Sequence, residues 1–173
     1  MRPRLRPIAV VMVAVGMAAV LTSCVPATGR PAATPADSAP ETETPRGAGL
    51  SREAAAELLD AVPGLGASAV GSQISGLATE AVMEVSVEDE AAILGEGVLD
   101  YVLRVGWATE LPDRPTQLSL TVWKGNTRLD LQEQANDIAG FEYRAIPLRY
   151  SVHLDEPEYL GAWPGPVPTP PSG

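Results

Sequence analysis

The chain has 173 residues, 12 Lys and Arg against 22 Asp and Glu, one His, one Cys and 17 Pro. That length allows one modest domain with Pro-rich extensions, and a lone Cys excludes an intramolecular disulfide framework and any zinc module built on two or four cysteines. A single His excludes multi-histidine metal sites, and a formal charge of −10 is a poor match for a phosphate backbone, so nucleic acid is not an expected partner.

At the N-terminus Arg2, Arg4 and Arg6 precede an apolar run that starts at Ile8 and meets Thr22 after about 14 residues. This is signal-peptide architecture. A spanning helix needs about 20 apolar residues, and Pro26 follows almost at once. A buried core helix is disfavoured, because arginines precede the run and a polar, Pro-rich stretch follows it.

The run closes on Leu21-Thr22-Ser23-Cys24, a Leu, two small residues and a Cys. This resembles the lipobox of bacterial lipoproteins. The resemblance implies that the Cys24 sulfur takes a diacylglyceryl group, with palmitate-type chains. It also implies that a dedicated signal peptidase recognises Leu21, Thr22 and Ser23 and cuts just before Cys24. Residues 1–23 would be removed, and the mature chain would sit on the extracytoplasmic face of the bacterial cell membrane. Two acyl chains suffice for stable anchoring where one does not. The rival reading of Cys24 is an unmodified residue after an ordinary secretory signal, which would leave an oxidisable thiol.

Loss of the three N-terminal arginines leaves 9 basic residues against 22 acidic ones, a formal charge of −13. An anionic bilayer repels such a body, so membrane contact is expected through the Cys24-linked lipid alone. Lys124 is the one lysine, while Ala, Gly, Pro and Arg are plentiful; the layout resembles the small lipoproteins of actinobacteria.

Residues 24–48 carry Pro26, Pro31, Pro35, Pro40 and Pro45 and no large apolar side chain beyond Val25. Such a segment cannot bury a core and is expected to be a disordered tether, with an end-to-end distance of about 25–30 Å. Thr28, Thr34, Ser38, Thr42 and Thr44 beside the prolines are candidate O-glycan acceptors, with a plain solvated linker as the alternative.

A single domain is expected over 49–160. Ser51 is placed to cap a helix over 52–62, whose Ala55, Leu58, Leu59 and Val62 form one stripe before Pro63-Gly64 stops it. Residues 68–76 are rich in Gly and Ser and weakly patterned. Residues 79–87 alternate, with Met83, Val85 and Val87 inward and Glu80 and Glu84 outward, and Ser75-Gly76 suggests a hairpin between the two. The main amphipathic helix is expected over 91–107, with Leu94, Val98, Tyr101, Val102 and Val105 on one face and an Asp100–Arg104 pair on the other. A strand follows over 117–123, then a turn at Lys124-Gly125-Asn126. A short helix is expected over 131–139, with Asp130 and Glu133 as a capping box and Gly140 as its stop. A last strand should present Leu148, Tyr150, Val152 and Leu154 inward and Arg149, Ser151 and His153 outward.

The expected fold is therefore α+β: a three- or four-stranded, mainly antiparallel sheet with two helices packed on one face, a split α/β sandwich for which a ferredoxin-like layout is one option. Residues 161–173 hold five prolines and should form an extended, disordered tail. In it Trp163 either folds back onto the domain or serves as a docking peptide for an aromatic-lined groove.

Candidate chemistry is sparse. His153 is the one possible imidazole base, and no Gly-x-Ser-x-Gly elbow offers it a nucleophile. Glu88, Asp89 and Glu90 form a carboxylate run at a strand-to-helix junction, a weak metal candidate without the spacing of a calcium loop; favourable interaction with the helix dipole explains the same charges. Trp107 and Trp123 are candidates for stacking a ligand, with rim-of-core packing as the alternative. No phosphate-binding loop or dinucleotide fingerprint is present, and no cofactor is expected. The expectation is a membrane-anchored, non-catalytic interaction or scaffold domain that meets an envelope protein or polymer. The alternative is a small-ligand or calcium-binding envelope lipoprotein.

Overall fold

The computed structural model describes residues 49–171. Helix α1 spans Arg52–Asp60, and its first turn is capped by the Ser51 hydroxyl, which accepts from the Ala54 N–H at 3.1 Å. Strands β1 (Leu65–Ser75) and β2 (Ala78–Val87) form an antiparallel hairpin. Two helices follow, α2 (Glu90–Ile93) and α3 (Val98–Ala108), then β3 (Gln117–Lys124) and the two-residue β4 (Thr127–Arg128). Helix α4 (Gln132–Ala139), β5 (Val152–Asp155) and a 3-10 turn over Glu158–Leu160 complete the order.

The fold is α+β, and its sheet has five strands and is mixed. β2 and β3 run parallel, because the chain leaves β2, crosses over through α2 and α3 and re-enters beside it. β1 pairs antiparallel with β2, while β4 and β5 pair antiparallel with β3. The element order opens on a helix and a hairpin rather than a βαβ unit, so the layout is not ferredoxin-like.

Ala55 and Leu59 of α1 and Val102 and Val105 of α3 meet Val70, Met83, Leu118, Leu120 and Leu154 in one apolar core. α3 lies close on the sheet because Gly106 has no side chain: a Cβ there would collide with Met83 Sδ.

Three local expectations change. The helix expected over 91–107 is broken at Gly95-Glu96-Gly97, where Gly97 adopts φ 73°. Each glycine in a helix interior costs about 1 kcal/mol relative to Ala, and here two fall within three residues. In consequence Ile93 is buried and Leu94 is exposed. The last strand starts at Val152, leaving Leu148 91% exposed with φ 66°. β5 cannot extend backward, because the β3 edge beyond Leu120 is already held by β4: Ser151 N–H donates to Leu120 O, and Leu129 N–H donates to Val122 O. Between those rungs the Ser151 hydroxyl accepts the Val122 N–H at 2.9 Å and closes the seam. The third change is at α4, where Leu131 is the N-cap and Asp130 Oδ1 accepts only the Gln132 N–H at 3.4 Å, so no capping box forms; Gly140 ends the helix in the left-handed conformation as expected.

Candidate functional site

Cys24 and the recognition residues Leu21, Thr22 and Ser23 lie outside the described residues, as do the tether and its candidate glycan acceptors.

The densest polar chemistry lies on the sheet face opposite the helices. Alternation puts Glu80 of β2, Ser119 of β3 and His153 of β5 on that face, as expected for Glu80 and His153, but all three are buried rather than exposed. The cover is Tyr150, expected inward with the core. It folds across the outer face instead: its ring stacks on His153 at 6.0 Å and 14°, and its hydroxyl donates to Glu80 Oε2 at 3.3 Å. Gln73 of β1 donates from Nε2 to Glu80 Oε2 at 2.5 Å, and Gln132 of α4 accepts the His153 backbone N–H at 2.7 Å.

Within this group Ser119 Oγ donates to Glu80 Oε1, so its lone pairs face His153 Nδ1 at 2.9 Å and assign the ring proton to Nδ1. Glu80 Oε1 lies 3.5 Å from the same nitrogen. Burial alone raises the Glu80 pKa, but hydrogen bonds from His153, Ser119 and Gln73, with attraction to the imidazole, outweigh it and hold the carboxyl at about 2. The residue types are those of a hydrolase triad, yet the arrangement is not. A relay needs the acid on one imidazole nitrogen and the nucleophile on the other, whereas here both face Nδ1, and Ser119 is fully buried. The network satisfies buried polar atoms and offers no exposed nucleophile. Its membership was not legible locally, because Gln73, Glu80, Ser119, Tyr150 and His153 come from four separate stretches of chain.

Glu88, Asp89 and Glu90 stand at the β2-to-α2 junction. Asp89 caps α2, accepting the Ala91 N–H at 3.1 Å, and pairs with Lys124 at 3.7 Å. That backbone hydrogen bond, then Lys124, lowers its pKa. Among the described residues no group of three His, Cys, Asp or Glu side chains is placed to hold a metal ion.

Trp107 and Trp123 are not brought together: one lies in the last turn of α3 and is 4% exposed, and the other lies near the end of β3. Trp107 instead meets the C-terminal segment. Its Nε1 donates to Gly161 O at 3.0 Å, Gly165 N–H donates to Trp107 O at 3.1 Å, and Trp163 Nε1 donates to Thr109 O at 3.2 Å. Trp163 thus folds back and packs against the core, and residues 161–171 contain neither helix nor strand.

A cavity of about 670 Å³ lies between the loop after α4 and the chain after β5, walled by Phe141, Tyr143 and Tyr159 with Glu142, Glu156 and Glu158. Burial and then the Glu158 charge raise the Tyr143 pKa. No helix among the described residues is long and apolar enough to cross a membrane. No family model, curated protein or solved structure matches the chain.

Proposed function

We infer that the chain is a bacterial lipoprotein, anchored by diacylglycerol on Cys24 at the extracytoplasmic face of the cell membrane, whose domain is a non-catalytic interaction module. One observation carries this reading: Leu21-Thr22-Ser23-Cys24 closes an apolar run that follows three arginines and precedes a Pro-rich stretch. The buried Ser119–His153–Glu80 network supports the non-catalytic part, because Ser119 and Glu80 both face the same imidazole nitrogen. Replacement Cys24→Ala in the producing cell is the test. The wild-type chain should partition with membranes and begin, by mass spectrometry, at a lipid-bearing Cys24; the variant should leave the membrane fraction. An unlipidated wild-type chain in the cytosol overturns the reading.

A second reading, a small-ligand binder, is favoured by the cavity at Phe141 and Tyr143, where Glu142, Asp155, Glu156 and Glu158 outnumber the one lining cation among the described residues, Arg144, and so suit an organic cation. Calorimetric titration with a small quaternary ammonium ion tests it, and with calcium tests the metal form; absence of heat in both rejects it.

A further inference from the structure

The outer side of α3 carries a groove, and the chain's own tail lies in it. Gly97, Asp100, Tyr101, Arg104 and Trp107 follow helical spacing and face Pro166, Pro168, Thr169 and Pro171 across a cavity of about 410 Å³. The tail runs antiparallel to the helix: Gly165 sits against Trp107, and Pro171 lies 3.8 Å from where a Cβ of Gly97 would be. From Gly97 to Trp107 the helix rises about 15 Å, and six residues of polyproline helix cover about 19 Å. An extended Pro-rich strand therefore matches the groove in length.

The seating is incomplete. No described backbone hydrogen bond is made beyond Gly165. A second cavity, of about 550 Å³, remains between Pro170-Pro171 and the apolar residues Leu58, Val62, Pro63 and Val98. Asp100, whose Oδ2 accepts from Arg104 Nε at 2.8 Å, keeps Oδ1 buried without a partner. The Tyr159 hydroxyl is likewise buried without a partner, and Pro166, Pro168, Pro170 and Pro171 have no N–H to donate to the helix. An aromatic-lined groove with a loosely held Pro-rich occupant suits recognition of polyproline segments.

We propose that this α3 groove is a docking site for a Pro-rich, basic segment of another envelope protein, and that residues 166–171 are a detachable occupant competing with it. The acidic body of the chain, 22 Asp and Glu against 12 Lys and Arg, favours such a partner over an acidic one. The proposal deepens the interaction role inferred above, but peptide binding does not depend on the lipid, so failure of the anchor and failure of the groove give separate results.

The test uses the full mature chain with Pro166→Gly, Pro168→Gly, Pro170→Gly and Pro171→Gly. Its probes are three synthetic peptides: the sequence of 164–173, the same with Thr169→Arg, and the acidic tether sequence of 35–45. Amide shifts of Gly97, Tyr101 and Arg104 report binding. The loosened variant should bind the first peptide about tenfold or more tighter than wild type does, because the wild-type tail competes from within the chain. The Thr169→Arg peptide should bind about fivefold tighter again through attraction to the acidic body of the chain, and the tether peptide most weakly. Absence of binding at millimolar peptide overturns the groove. Preference for the tether peptide, or tail-dependent dimers in sedimentation, overturns the assigned occupant. If the glycine variant unfolds, the wild-type chain is titrated with the Thr169→Arg peptide: Val167 and Thr169 amides should move toward random-coil positions, and unmoved amides overturn the proposal.

Discussion

On the helix-facing side of the sheet, Met83, Leu118 and Leu120 meet α1 and α3 in a continuous apolar core. On the other side, Glu80, Ser119 and His153 are buried almost as completely under Tyr150, a single side chain from a loop. The apolar side is held by many small, non-directional contacts, so loss of one side chain removes a share of the whole. The polar side depends on every donor and acceptor finding its mate, and a partly satisfied network is worse than none.

The largest effect should come from the apolar side. Leu120→Ala should cost about 2–5 kcal/mol, transfer and cavity terms together, read as a drop in urea midpoint below wild type that is the same at pH 7 and pH 3. On the polar side, Glu80→Gln should cost about 2–3 kcal/mol at neutral pH, and this cost should depend on pH. The folded-state pKa of Glu80 is lowered from 4.5 to about 2, so its carboxylate contributes stability that is fully present above 4.5 and lost as pH falls through 2. Wild type and Glu80→Gln should therefore converge in urea unfolding as pH drops from 4.5 toward 2; a constant gap would remove the charge from the account. At the seam between β4 and β5, Ser151→Ala strands the Val122 N–H, a buried donor worth about 1–2 kcal/mol when unmet. Faster hydrogen exchange at Val122, with Leu118 unchanged, would localise that loss.

Elements that follow one local rule were legible from sequence. Ser51 ahead of Ala55 and Leu59, the alternation from Met83 to Val87 and Gly140 after Ala139 each need only a few neighbouring residues to be interpreted, and all three stand in the structure. What was not legible is non-local. Nothing within 79–87 or 117–123 says that the two strands are parallel neighbours; the intervening crossover decides it. The polarity of Glu80 and His153 pointed to solvent, yet Ser119 for both and Tyr150 for Glu80 supply partners from remote parts of the chain that offset the cost of burying them. Gly95 and Gly97 did carry a local signal for the broken helix, and the apolar periodicity running through them masked it.

The shared flank of β3 has an architectural consequence. Two half-strands occupy it in series, and Leu131 N–H reaches Ser151 O at 3.0 Å, so the excursion between them leaves and returns at one spot. The exposed Leu148 stands on the returning limb of this lasso, whose neck is fixed. Lengthening that lasso ahead of Leu148 and Tyr150 need not disturb the strands, which makes its middle the natural port for splicing in a reporter or an epitope.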